Sequence, residues 1–197
     1  IPAGSVPQFS QEQMRLQYRN RGQSVAFGAP PVAYAEGRCL GGSTEINSGL
    51  YHAPSPGLLQ QWAQGWQVSD LSAEGIAPIS RAIEKNLNVT TFPQGPPPAS
   101  QFLCKGAARL DWRTVEVPRW FDHTTGLRQS MSVTYLRQAQ ERGAEIRSGM
   151  RVVRLEIAGN RAVAAEVENA AGHRERVTFD QVFICGGAVQ SPALLQR

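Results

Sequence analysis

RVVRLEIAGNRAVAAEVENAAGHRERVTFDQVFICGGAVQSPALL, residues 151–195, carries two patterns in succession. The first is alternation. Val153, Leu155 and Ile157 fall on one face, Gly159-Asn160 offers a turn, Val163, Ala165 and Val167 return, Ala171-Gly172 turns again, and Val177 with Phe179 closes the run. A period of two with turn residues at that spacing predicts a three-stranded antiparallel meander. The second pattern is Val182-Phe183-Ile184-Cys185, an unbroken apolar run that enters Gly186-Gly187 and then Ala188-Val189-Gln190-Ser191-Pro192-Ala193-Leu194-Leu195. The run suits a strand buried on both faces, with Cys185 as a small core residue, and Ser191 and Pro192 suit the cap and first position of a helix. Strand, glycine turn and helix start are the geometry that presents N–H groups to a phosphate.

Upstream of the meander, Ser130 or Ser132 is placed to cap a helix through Tyr135, Leu136 and Ala139 that stops at Gly143, and residues 144–148 form a short strand candidate. The order is then helix, strand, meander, strand, glycine turn. A second glycine segment lies far upstream: Gly37-Arg38-Cys39-Leu40-Gly41-Gly42-Ser43-Thr44-Glu45-Ile46-Asn47. Adjacent glycines let backbone N–H groups approach a ligand, Ser43 and Thr44 add hydroxyls, and Asn47 adds an amide that donates and accepts. Alone, glycine beside Ser or Thr also marks an ordinary loop.

Taken together, these segments resemble the glucose-methanol-choline (GMC) family of flavin adenine dinucleotide (FAD) oxidoreductases. Residues 37–54, with Tyr51 as the aromatic after Asn47, look like that family's first signature. Gly187-Ala188, Ser191-Pro192 and Leu194-Leu195 look like its second. Arg128-Gln129-Ser130-Met131-Ser132-Val133-Thr134-Tyr135-Leu136 is similar to a stretch that the family places between them.

The resemblance implies an α/β fold: part of an FAD-binding Rossmann-like domain, with parallel strands plus the meander, and an inserted helical and extended part of a substrate domain. It divides the chain into a flavin-cradle segment at 1–60, a substrate-domain segment at 61–128 and a further FAD-domain segment at 129–197. It implies FAD as cofactor, held by Arg38, Gly41, Gly42, Ser43, Thr44, Asn47, Ser48 and Gly49, with Val152 meeting the adenine through its backbone and Gly187 at the second glycine turn. The implied activity is oxidation of the CH–OH group of a small-molecule alcohol by hydride transfer to flavin. A flavin-bearing hydroxynitrile lyase of the same family and a non-catalytic nucleotide-binding module are the alternatives. Some members attach FAD through a His just before the Asn; that position is Ile46 here, so the resemblance implies no such bond.

No G-x-G-x-x-G occurs in the chain, although the family carries one near its N-terminus for the pyrophosphate. The catalytic His and its partner are likewise expected C-terminal to Arg197. The chain therefore reads as an internal piece, inactive by itself, whose unpaired sheet edges are expected to be covered by repacking, by self-association or by another polypeptide carrying the missing parts.

Composition excludes several classes. The formal charge is +4, but the 20 basic and 16 acidic residues are interspersed, which argues against a nucleic-acid site. Three cysteines without C-x-x-C give no disulfide framework and no zinc site, and Cys39 beside the glycine pair is the one to watch. The histidines, His52, His123 and His173, form no metal cluster or Ser-His-Asp order. No apolar run approaches the roughly 18 residues of a membrane span and no signal peptide is visible. With the whole protein's N-terminus expected upstream, this says little about compartment, which is left open with the cytoplasm slightly favoured.

The remaining organisation is helical at first. Ser10 caps a helix over 10–18 with Met14 and Tyr18 on one face; Leu58, Leu59 and Trp62 share helical spacing up to a break near Gly65; and Ile76, Ile79, Ile83 and Leu87 follow with Pro78 near the start. Gly95-Pro96-Pro97-Pro98 is a stiff connector, after which Trp112, Val115, Val117 and Trp120 suggest extended structure from Phe102 onwards.

Overall fold

A computed structural model describes residues 6–66 and 72–197. The chain divides into two compact units, Ile1–Ala144 and Glu145–Arg197.

In the first unit, α1 (Gln11–Gln17) starts where the Ser10 hydroxyl accepts from the Gln13 N–H at 3.0 Å. Its buried face is polar. Gln13 and Gln17 are buried while Met14 is 40% exposed, because the two amides bond each other at 3.0 Å. A two-stranded hairpin, β1 (Ser24–Ala26) with β2 (Val32–Tyr34), follows. The chain then returns to the end of α1, where the Arg38 N–H donates to the Gln17 carbonyl at 2.6 Å and Arg19 pairs with Glu36 at 3.0 Å. These contacts fix the entry to the glycine segment.

Helix α2 (Pro56–Trp66) buries Leu59 and leaves Leu58 and Trp62 partly exposed. It continues through Gly65 instead of breaking there. The Ser72 hydroxyl caps α3 (Ala73–Asn86), which tolerates Pro78 in its interior and ends against the buried Leu87. Strand β3 (Val89–Thr90) leads to α4 (Pro98–Arg109), and β4 (Arg119–Asp122) and β5 (Leu127–Arg128) complete an antiparallel sheet of order β3-β4-β5. Extended structure therefore begins later than expected: Phe102 to Arg109 is helical. Pro98 sits in the first turn, where its missing N–H costs nothing, and the alanines around Gly106 propagate the helix. Helix α5 (Tyr135–Glu141) is preceded by Thr134, not capped by Ser130 or Ser132; the Thr134 hydroxyl donates to the Ser130 carbonyl at 2.7 Å in a turn of its own.

The second unit is the expected meander: β6 (Met150–Ala158), β7 (Arg161–Asn169) and β8 (Arg174–Thr178), antiparallel in the order β6-β7-β8. Val152 lies opposite Val167, and Ala165 opposite Val177. Gly159 takes the positive φ of +59° that the first turn requires, and the Asn169 side chain accepts from the N–H groups of Ala171 and His173 at the second. Ala164, Ala165 and Val167 are buried, so the central strand carries the core of this unit. Charged pairs run across the polar face: Arg154 and Arg174 both bond Glu166, Arg174 and Arg151 both bond Glu168, and Arg176 bonds Glu156.

Helix α6 (Gly187–Leu195) lies against β6. It begins one turn earlier than expected, at the glycines, which leaves Ser191 and Pro192 inside the helix and not at its start. The two segments expected as parallel strands, 144–148 and 182–185, form no ladder, and every strand pairing among the described residues is antiparallel. A strand exists only through its neighbours, and neither segment has one among the described residues. Cys185 is accordingly exposed and not in a core, and Phe183 is 85% exposed.

Candidate functional site

The glycine segment folds into a tight loop that closes on itself. Gly41 and Gly42 take successive left-handed conformations, φ +86° and +58°, and lead into a 3-10 turn, Gly42–Glu45. Gly37 lies beneath this turn; a β-carbon there would meet the Gly42 carbonyl carbon and oxygen at 2.4 Å. A β-carbon on Gly41 would strike the Glu45 carboxylate at 2.3 Å. Gly42 differs: nothing lies within 4 Å of where its β-carbon would stand. The loop thus has a crowded inner side and an open outer one.

The polar side chains hold the loop together. Ser43 Oγ accepts from the Gly37 N–H at 2.9 Å, Thr44 Oγ1 donates to the Gly41 carbonyl at 2.6 Å, and Asn47 Oδ1 accepts from the Gly49 N–H at 3.0 Å. Ser43 remains exposed, and a hydroxyl that accepts one bond keeps its proton for another acceptor. Arg38, Asn47 and Ser48 are exposed too. Gly49 is buried at φ +67°, because a β-carbon there would meet the Trp120 and Phe121 rings at 2.6 Å; its carbonyl accepts from the Trp120 N–H at 2.9 Å. Ile46 is buried and offers no nucleophilic atom.

A second set of residues supports the loop from its crowded side. Arg128, 5% exposed, donates from Nη1 to the Thr44 carbonyl at 3.1 Å, and the Met131 N–H donates to Thr44 Oγ1 at 3.1 Å. The Ser132 hydroxyl donates to the Glu45 carboxylate at 2.5 Å, and Gln13 Nε2 donates to the Glu45 carbonyl at 3.0 Å. Between them is a cavity of about 30 Å³ lined by Gln13, Gln17, Glu45, Arg128, Ser130 and Val133. Burial pulls the Arg128 guanidinium below its ordinary pKa, with the Glu45 carboxylate acting against that pull. The Cys39 thiol, which donates to the Gly42 carbonyl at 3.6 Å, is pushed up to about 11, first by burial and then by Glu45.

Residues 14–197 match the family model described as GMC oxidoreductase. The chain belongs to the GMC oxidoreductase family. A GMC-type oxidoreductase of Sinorhizobium fredii is 33% identical over 100% of this GMC chain and 42% of its own length. An oxygen-dependent choline dehydrogenase of Staphylococcus saprophyticus is 27% identical over 84% of the chain and 34% of its own length. The GMC chain therefore spans well under half of these relatives. Among solved structures, pyridoxine 4-oxidase from Mesorbium loti superposes with a TM-score of 0.71 at 22% identity, covering 84% of this chain and 37% of that one. An FAD-dependent oxidoreductase from Chaetomium thermophilum gives 0.66 at 16% identity, covering 88% of this chain and 36% of its own. The fold is shared with both.

Within the GMC chain, the structure brings Arg38, Gly41, Gly42, Ser43, Thr44, Asn47, Ser48 and Gly49 into one loop of the first unit. Val152, on β6 beside a bulge, and Gly187, at φ +82° at the head of α6, belong to the second. Sequence reading missed the supporting set. Arg128, Ser130 and Ser132 fell within a recognised stretch, but nothing in their spacing pointed to Thr44 and Glu45, more than eighty residues away. Among the described residues there is no group of three or more His, Cys, Asp or Glu that would hold a metal, and no helix long and apolar enough to cross a membrane. His52 and His173 are exposed, and the His123 ring lies 5.6 Å from that of Phe92 with the planes tilted by 53°.

Proposed function

We propose that the whole protein is an FAD-dependent oxidoreductase that oxidises the CH–OH group of a small-molecule alcohol, and that residues 37–49 of this chain are its flavin cradle. The observation that carries this is the asymmetry of the glycine loop: Gly37 and Gly41 are needed for the loop's own closure, whereas Gly42 faces open space that a ligand can enter. Family membership and a solved neighbour described as FAD-dependent support the cofactor, and relatives named for choline and pyridoxine support an alcohol as substrate class.

The flavin, when bound, supplies the two-electron acceptor for hydride. The chain's own part is to bind and orient it. Gly42 permits close approach, the exposed Ser43 hydroxyl serves phosphate or ribityl oxygens, and Asn47 and Ser48 line the ring, while Gly41 and Gly49 give the loop its shape. Arg38 adds positive charge at the loop's exposed entrance. In the second unit, Val152 offers backbone groups to the adenine and Gly187 opens the second glycine turn. Thr44 gives its proton to Gly41, so its hydroxyl contributes to the site mainly as the pin of the turn. No residue of this chain is assigned the role of base.

The test is to purify the full-length protein, release its bound cofactor by denaturation and identify it, then add a panel of primary and secondary alcohols without oxygen. FAD in near-stoichiometric amount, with visible absorbance bleached by at least one alcohol, is the expected result. A protein that carries and binds no flavin overturns the reading.

A further inference from the structure

Arg128 presents an energetic problem that the cradle explains. It is 5% exposed, and its Nε and Nη2 atoms have no hydrogen-bond partner among the described residues. Burying a guanidinium with most of its donors unpaired costs stability; apolar replacements of such groups are often neutral or stabilising. The adjoining cavity of about 30 Å³ admits water, and no side chain in its lining bonds these two nitrogens. The Glu45 carboxylate is already engaged by Ser132. One bond distinguishes the guanidinium from an apolar filler: Nη1 to the Thr44 carbonyl at 3.1 Å.

That carbonyl belongs to the 3-10 turn whose first residue is the open Gly42. The same turn is fixed by Met131 N–H on Thr44 Oγ1 and by Gln13 on the Glu45 carbonyl. Neither of these donors carries charge. Arg128 supplies the charge-assisted bond to the turn's backbone, beside the Ser132 bond to the Glu45 carboxylate, and supplies it from a two-residue strand tied to the sheet that also packs on Gly49.

We infer that Arg128 is a positioning residue for the cofactor: it holds the Thr44 carbonyl so that the Gly42 face stays in the shape that receives flavin, and it does so without touching the flavin. The inference rests on the flavin reading above. It separates two roles that usually coincide, because Arg128 serves the site at the expense of the fold.

The experiment uses the full-length protein with FAD removed and restored, in wild type, R128M and R128K. R128M keeps the volume and removes the donors; R128K keeps the charge but replaces the planar fork with a shorter, strongly hydrated ammonium. The expected result is FAD binding weaker by tenfold or more in R128M and by about threefold in R128K. The FAD-free proteins should melt within about 3 °C of wild type, and the visible bands of flavin bound to R128M should shift toward those of free FAD. R128M binding FAD within twofold of wild type with an unchanged spectrum overturns the inference, as does a loss of affinity matched by an equal loss of stability in the FAD-free protein. Should R128M fail to fold, R128K decides by the same twofold limit. Failure of the wild-type protein itself to bind FAD removes the flavin reading, whereas wild-type binding with an unaffected R128M removes this inference alone.

Discussion

The Gly42 carbonyl passes so close over Gly37 that a β-carbon on Gly37 would lie 2.4 Å from it. The first glycine of the segment is thus required by the last turn of the loop, not by any ligand. Gly37→Ala should destabilise the full-length protein toward the upper end of the overpacking range, about 3 kcal/mol, and loosen the cofactor. Gly42→Ala should cost only about 1–2 kcal/mol, the penalty of its left-handed φ. Denaturant unfolding of both variants checks the order; equal effects would mean that the loop does not close as described.

Thr44 pins the turn through both functions of its hydroxyl, donating to Gly41 and accepting from Met131. Thr44→Val keeps the shape and leaves a carbonyl and an N–H without partners, a cost of about 1–3 kcal/mol. Thr44→Ser retains both bonds and should stay within about 1 kcal/mol of wild type. Thermal melting of the two variants separates hydrogen bonding from packing.

Cys39 should be inert near neutral pH. Burial and the Glu45 charge raise its pKa to about 11, and the thiolate is the reactive form. Alkylation of Cys39, followed by mass spectrometry across a pH series, should accelerate about tenfold per pH unit until about pH 11. A plateau reached before pH 9 contradicts the buried placement beside Gly42.

The polar face of the meander should make stability depend on acid. Hydrogen bonds from Arg154 and then Arg174 hold Glu166 below its ordinary pKa, and bonds from Arg174 and then Arg151 do the same for Glu168. A depressed carboxylate contributes stability that is complete above its unfolded pKa and is lost as pH falls through its folded one. Melting temperature should therefore drop below about pH 4.5 more steeply in wild type than in an E166Q/E168Q double variant. Added salt should shrink the difference, since both groups are solvent-facing. Parallel pH profiles at low salt would show that the pairs contribute nothing.

These features differ in how far sequence could reveal them. The meander was legible because its signals are local: residues two apart share a face, and Gly159 and the Asn169 side chain form the turns where they stand. Helix α4 was misread because Trp112, Val115, Val117 and Trp120, all beyond its end, carried the extended reading back to Phe102, while the deciding signal was Pro98 in the first helical turn. The segments at 144–148 and 182–185 have the composition of buried parallel strands, yet a parallel ladder needs partners that no local pattern specifies. The cradle was legible as a motif but not as a mechanism. That Ser43 and Thr44 close the loop depends on the path of residues 37–45, and Arg128 reaches Thr44 across 84 positions.

The most direct test of the cradle is FAD binding to the full-length Gly42→Val variant, followed by recovery of visible absorbance and by tryptophan quenching on titration. A branched side chain on Gly42 would fill the one open face of the loop, so flavin retention should be abolished, while Asn47→Ala, at the exposed end of the segment, should weaken it less. A Gly42→Val protein that keeps its yellow colour and binds FAD with wild-type affinity contradicts the assignment of residues 37–49 as the flavin site.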